Sequence, residues 1–382
     1  MISRPFLCLA IALVMFPQIA QTLYSPALAD ISASFAVSAE MAAQLLSTFF
    51  LGFALGVAVW GRVCDRIGRR PAMLSGLALY AAATMLGLNV DTFDALLAVQ
   101  ALAAFGAAVG SVVTQTVLRD RYHGVQLGQV FSVIGIALAA SPAMGLFSGA
   151  SLVRLFGYQG VLGGLLMLSL VLLVWCARAL PETLPDRLPA QPLSKTLWRM
   201  LKDPSIWCSS FLVAAFNVAL FSYYNLAPFQ FERLGLSPEL FGYSGVILAL
   251  GSGLGAWLNK RLLARGYDGG QLSAVAAVVL LIGGVSVQGL LDSGGFVVAM
   301  LLIVLAFGMA IPNVLGAALV RYGDCLGTAG ALFGLFYYVL ISGALMLAAW
   351  FQALGWTLIL CGVLAVCLAG NPARPKSKNQ SD

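Results

Sequence analysis

Apolar runs long enough to cross a membrane alternate with short polar loops along nearly the whole chain. A bilayer core about 30 Å thick takes a helix of roughly 20 apolar residues. Marking runs by that length, and their ends by charge, glycine or proline, predicts twelve helices. Approximate bounds are 6–28, 41–60, 72–90, 95–118, 125–149, 159–178, 206–230, 241–259, 271–290, 296–319, 327–348 and 353–370, with a poor loop between Trp350 and Trp356. The first run continues through Pro17 and Gln18 to Tyr24 without a good small-x-small cleavage site. It is therefore read as a retained helix and not as a signal peptide.

Composition fixes the solvent. The 382 residues are 60% hydrophobic and 9% charged, whereas soluble domains average about 25% charged. Such a chain cannot cover itself with polar groups, so lipid surrounds it and its fold is all-α. The net charge of +6 is spread over short loops, which argues against nucleic acid as a partner. Nineteen of the 21 lysines and arginines fall on one side of a twelve-span arrangement, leaving Arg154 and Arg233 on the other. The positive-inside bias then puts both termini in the cytoplasm. Seven cysteines show no metal-ligand clustering and none lies in an outer loop, so no structural disulfide is expected. His123, the one histidine, reads as a solvated loop residue.

The longest non-apolar stretch, 179–205, holds Pro181, Pro185, Pro189, Pro192 and Pro204 and a basic amphipathic piece around Lys195 to Lys202. It separates an N-terminal six-helix bundle, 1–178, from a C-terminal one, 206–370, which is followed by a cytoplasmic tail, 371–382. Gly255 to Arg261, between spans eight and nine, echoes Gly61 to Arg66, between spans two and three, with Asn259 in place of Asp65. Six spans, a basic loop and its echo suggest an internal duplication.

The loop Gly61-Arg62-Val63-Cys64-Asp65-Arg66-Ile67-Gly68-Arg69-Arg70 carries the most information. Its pattern, Gly-x-x-x-Asp-Arg-x-Gly-Arg-Arg, resembles the signature loop of the major facilitator superfamily. With six plus six helices, the resemblance covers almost the whole chain. It implies two pseudo-symmetric bundles of six and a transporter working by alternating access. Gly61, Asp65, Arg66, Gly68, Arg69 and Arg70, with Asn259 and Arg261 of the echo, would form the gating loops. Tyr24 to Leu28, Leu118-Arg119-Asp120, Pro181-Glu182-Thr183-Leu184 and Gly327-Thr328-Ala329 resemble the bicyclomycin and chloramphenicol resistance (Bcr/CflA) subfamily of drug:proton antiporters. Ser141-Pro142-Ala143-Met144-Gly145, then Gly149, resembles the span-five motif of antiporters, with Ser141 and Leu146 where glycines are expected.

Two departures bear on energy coupling. Gln21 and Thr22 stand where the subfamily places a carboxylate in span one, and Gln100 where the superfamily places an arginine in span four. No Asp, Glu, Lys or Arg falls deep inside any predicted span, although such groups are the usual proton carriers. Asp30, just beyond span one, is the proton-coupling candidate, with capping or topology as the plainer reading.

Uncharged polar residues gather on a few spans: Gln18, Gln21 and Thr22 in span one, and Gln100, Ser111 and Thr114 in span four. Asn217, Tyr224 and Asn225 follow in span seven, Asn313 in span ten and Tyr338 in span eleven. Polar side chains avoid lipid. By resemblance, spans one, four, seven and ten line a central path. The set would hold a neutral or amphiphilic solute by hydrogen bonds and aromatic contact, although each residue alone could equally bond to a neighbouring helix.

The expected function is secondary active transport of small organic molecules, as a proton-coupled exporter of drugs or metabolites. The alternative is a proton-independent facilitator, or an uptake carrier for a nutrient or metal chelate. A membrane enzyme is disfavoured for want of a His/Asp/Glu constellation, and an ATP-driven pump because no lysine follows a glycine. A sensor or scaffold is disfavoured because no loop is long enough to fold alone. No cofactor or metal is expected. The chain is read as a monomer in a bacterial inner membrane whose partners are lipid, solute and protons.

Overall fold

Caps open several of the helices that the apolar runs predict. Ser38, Thr92 and Ser237 accept from the backbone N–H three residues on, at Met41, Ala95 and Leu240. Asp268 and Gln271 close a reciprocal capping box. Each such cap contributes about 1 kcal/mol. The computed structural model describes residues 4–184 and 193–370. The chain divides into two compact units, residues 1–190 and 191–382.

The first unit holds α1 (Arg4–Tyr24), a 3-10 turn (Ser25–Ala27), α2 (Leu28–Ser34), α3 (Ala39–Ala42), α4 (Gln44–Ile67), α5 (Arg69–Gly87), α6 (Phe93–Arg121) and α7 (Gly124–Ala179). The second holds α8 (Leu193–Leu201), α9 (Pro204–Arg233), α10 (Pro238–Leu263), α11 (Gly269–Leu290), α12 (Phe296–Ala318), a 3-10 segment (Val320–Cys325), α13 (Leu326–Phe351) and α14 (Leu354–Ala369). Nine helical stretches among the described residues are long and apolar enough to cross a membrane. One of them, 129–179, has about twice the length one crossing needs. With α5 and the shorter apolar α14, this makes six membrane segments in each unit.

Four expected boundaries move, the first at the basic loop, where span two runs on from residue 60 to Ile67 and only Gly68 separates α4 from α5. Span one continues past residue 28: the chain turns tightly at Ser25–Ala27, around Pro26, and runs on as α2 to Ser34, so Asp30 is helical. Spans five and six are joined in one helical run, because Ala150 to Phe156 contains neither glycine nor proline to stop it. The run breaks only at Gly157, whose φ of 64° and ψ of −165° a side chain would resist. The stretch 179–205 is not all linker, since α8 occupies Leu193–Leu201 and α9 starts at Pro204. Its residues 185–192, and the tail 371–382, lie outside the described residues.

In the first unit α6 is central, packed on α1, α4 and α5. A Cβ at Gly52 or Gly56 would collide with the backbone of Ala101 or Phe105, and one at Gly106 with Gly76 and Tyr80. Without side chains there, the helices approach closely, which in lipid replaces the missing hydrophobic drive. In the second unit α12 packs on α9, α10 and α11, and Gly251 and Gly255 press on Leu301 and Leu305.

The duplication is visible in detail, and its register differs from the one the basic loops suggest. Left-handed Ala36 (φ 51°) precedes the Ser38 cap, and left-handed Gly235 (φ 66°) precedes the Ser237 cap. The glycine pair Gly52/Gly56 recurs as Gly251/Gly255. Every one of these pairs is 199 residues apart. In that register Arg62 and Arg66 match Arg261 and Arg265, Trp60 matches Asn259, and Asp65 matches Ala264. The reading of Asn259 as the equivalent of Asp65 is thereby corrected. The second half repeats two of the loop's four arginines, while Asp65, Arg69 and Arg70 are matched by Ala264, Asp268 and Gly269.

Candidate functional site

The signature loop builds a charged knot at one end of the first unit. Arg69 opens α5 and is 2% exposed. Its Nε donates to Asp120 Oδ2 at 2.9 Å, and its Nη1 donates to the Cys64 carbonyl at 3.0 Å and lies 3.2 Å from Asp65 Oδ1. Asp120, at the end of α6, also accepts from the Thr183 hydroxyl at 3.0 Å. Charge-assisted bonds of this kind are about twice as strong as neutral ones. A guanidinium buried this far must be matched on several sides, since an unpaired buried charge is costly.

Glu182 completes the knot from the segment after α7. Its Oε1 accepts from the backbone N–H groups of Arg69, Thr183 and Leu184, each at 2.9 Å, and its Oε2 from that of Arg70 at 3.1 Å. It thus caps the N-terminus of α5, where the unpaired N–H groups and the helix dipole favour an anion. Partial burial works against its charge, but these four N–H groups outweigh it and hold the carboxyl below its ordinary range. Gly68 makes the cap possible: its φ is 102°, and a Cβ there would strike the Glu182 carboxylate. Arg70 donates to the Ala177 carbonyl at 2.6 Å, while Arg66 is exposed and Gly61 lies half-buried within α4.

Among the described residues, the second unit shows no such knot at the matching loop. Asn259 instead pairs with Asn313 of α12. Asn313 Nδ2 donates to Asn259 Oδ1 at 2.7 Å, and the return bond is 3.4 Å. A residue expected to face solute therefore bonds to one expected in a gate. Arg261 is exposed, 5.2 Å over the Trp257 ring. Elsewhere in this unit Arg199 of α8 stacks 4.5 Å over Tyr322, whose hydroxyl donates to Asp203 at 3.0 Å.

Asp30 accepts from the Tyr158 N–H at 2.6 Å, so it caps the helix that restarts after the Gly157 break. The glycines of the span-five motif serve packing: Gly145 lies against Thr22, and Gly149 against the Leu23 carbonyl and Pro26.

The remaining expected solute residues divide by how well they are satisfied. Thr22 donates to the Gln18 carbonyl and Gln115 to Ser111. Asn217 donates to Val213, and Tyr338 lies against the Tyr337 ring. Gln18, Ser111 and Asn217 are half-buried, and Gln100 and Tyr224 are buried. Gln21 Nε2 and Thr114 Oγ1 in the first unit, and both side-chain amide atoms of Asn225 in the second, are buried without a hydrogen-bond partner among the described residues. The roles of Asp120 and Glu182 were not deduced from the sequence. Their short motifs were visible, but partners 51 and 113 residues away were not.

An all-helical, multi-pass membrane protein made of two similar six-helix units, with a charged knot at a span-two/three junction, is a transporter of the facilitator type. The sequence model of the Major Facilitator Superfamily matches residues 7–345, and the chain belongs to that family. It is 28% identical over 347 residues to an uncharacterized transporter of Rickettsia bellii, covering 87% of this chain and 86% of that one. It is 25% identical over 333 residues to the Multidrug resistance protein D of Escherichia coli, covering 86% and 84%. The Bicyclomycin resistance protein homolog of Haemophilus influenzae is 24% identical over 338 residues, covering 84% and 83%. The fold is similar to that of a D-xylose-proton symporter, with a TM-score of 0.80 at 15% identity over 99% of each chain.

Proposed function

We propose that the chain exports small neutral or amphiphilic organic molecules by alternating access, drawing on a proton gradient. The observation that carries the solute class is the presence in each unit of buried uncharged polar groups without partners among the described residues: Gln21 and Thr114 in the first, Asn225 in the second. They offer hydrogen bonds and no countercharge, which suits a neutral solute. The resemblance to drug-resistance proteins supports the export direction. In this reading both termini are cytoplasmic, the membrane is a bacterial inner membrane, and the carrier acts as a monomer.

A second reading, a proton-independent facilitator, has its own support. Arg69 is the only buried charged side chain among the described residues. Asp65 and Asp120 are engaged with Arg69, and Asp30 with Tyr158. Solute uptake into inverted vesicles, with and without a proton gradient, separates the two. Gradient-driven accumulation is expected. Its absence from the unmodified protein rejects the antiporter. Asp30→Asn then isolates a charge, because an amide oxygen can still accept from Tyr158. Loss of accumulation with exchange retained would place the proton on Asp30, and full accumulation would exclude it.

A further inference from the structure

The short basic helix α8 has two unlike sides. One is fixed to the second unit. Thr196 and Met200 are buried, and the helix packs on α9 and α13. Arg199 donates to the Arg321 carbonyl at 2.7 Å and stacks over Tyr322. Trp207, in the first turn of α9, donates its indole N–H to the Leu201 carbonyl at 2.9 Å, which sets the angle between the two helices. The other side is bare. Lys195, Trp198 and Lys202 follow at helical spacing and are all exposed, with exposed Leu201 at their edge. Trp198 is 62% exposed, and Lys202 Nζ lies 4.6 Å over its ring. Neither lysine pairs with a carboxylate among the described residues. Asp203, the next residue along, is already engaged: it caps α9 at Ser205 and accepts from Tyr322.

The depth of α8 in the membrane follows from α9. Pro204–Arg233 is a single apolar span of 30 residues, about 45 Å long at about 1.5 Å per residue. A bilayer with its headgroups is about 40–45 Å thick. Pro204 then lies at a headgroup boundary, and α8, which ends just before it, lies there too. Tryptophan rings settle at headgroup level, and lysines beside an acidic surface are drawn to its phosphates.

We infer that the bare side of α8 is a docking site for acidic phospholipid, with Trp198 in the headgroup layer and Lys195 and Lys202 on the phosphates of anionic headgroups. This goes beyond the transport reading and does not depend on the solute. A zwitterionic headgroup brings a cation of its own, which the lysines repel, so the preference is for lipid of net negative charge. The far side of α8 grips Arg321 and Tyr322, between α12 and α13, so a lipid held here braces that junction as well.

The test uses the full chain in phosphatidylcholine nanodiscs doped with a lipid brominated in its acyl chains, which quenches nearby tryptophans. The dopant is phosphatidylglycerol or, for comparison, phosphatidylcholine. The chain has seven tryptophans, so the Trp198 signal is taken as the difference between the unmodified protein and Trp198→Phe. Each lysine at an acidic surface favours it roughly fivefold. Trp198 is therefore expected to be half-quenched by at most about one fifth as much brominated phosphatidylglycerol as brominated phosphatidylcholine. Lys195→Gln together with Lys202→Gln should bring the two curves together. Lys260→Gln together with Arg265→Gln removes the same charge from the other basic loop of this unit and should leave them apart. Coinciding curves in the unmodified protein, a preference that survives without Lys195 and Lys202, or one lost equally with Lys260 and Arg265 overturns the inference. So does a preference abolished by millimolar inorganic phosphate, which would make the site a receptor for the free anion. Absence of quenching by either lipid also overturns it, since something other than the bilayer would then cover Trp198.

Discussion

Arg69 is held by two carboxylates that differ in setting. The Asp65 side chain is 49% exposed and that of Asp120 is 18% exposed. Screening by water weakens the first pair more than the second. Asp120→Asn is therefore expected to cut transport and thermal stability more than Asp65→Asn, with both variants reaching the membrane; rates normalised to abundance read this out. Equal effects would mean that burial does not set their relative weight. Glu182 adds a pH signature. Its carboxyl lies below its ordinary range in the folded protein, so its contribution is present above the unfolded value and lost as pH falls through the lower, folded one. Glu182→Gln should lower the unfolding midpoint by roughly 2–4 °C at pH 7. In acid the difference from the unmodified protein should vanish; a difference that persisted there would deny the cap its charge.

Helices were legible as apolar runs of membrane length, and most of these runs became helices within a few residues of their expected bounds. The caps at Ser38, Thr92, Ser237 and Asp268 came to light only in the structure. The break between spans five and six was not legible as the structure has it. Gly157 is one of four glycines within eight residues, Gly157, Gly160, Gly163 and Gly164, and nothing local says which takes a positive φ. Asp30, 128 residues from Tyr158, selects it. The same holds for Asn313, whose bond to Asn259 depends on how α10 crosses α12. Periodicity shows which face of a helix is polar, but not which helix meets it. An alanine at Gly157 is expected to strain the restart of α7 and, through Asp30, to loosen α2. Hydrogen exchange should rise at Tyr158 and around Asp30 together, whereas a rise at Tyr158 alone would separate the two.

At the scale of the whole molecule, the placement of lysine and arginine predicts both ends of the chain on one side of the membrane. A reporter fused after Asp382 should read as cytoplasmic and one inserted near Ser237 as external. The opposite readout at either point overturns the orientation. The comparison of halves also shows what periodicity could not. Each half repeats the same turn, cap and glycine pair, yet only the first has an acid at the Asp65 position. At the matching loops charge locks the first unit and a neutral amide pair holds the second, so acid is expected to loosen the first of these junctions before the other.

The repeat is also a design guide written into the chain. Where the halves share a backbone conformation but differ in residue, one half has already tried a solution the other lacks. Position 36 is the clearest case: alanine sits at a φ of 51° where the other half, at 66°, has glycine. Alanine in that region costs roughly 1–2 kcal/mol, and glycine gives back part of the gain through its freer unfolded chain. Ala36→Gly should therefore raise the unfolding midpoint without touching transport, and an unchanged or lower midpoint would show that the turn is not strained. Other mismatched positions can be screened in the same way, each half serving as a one-sequence consensus for its twin.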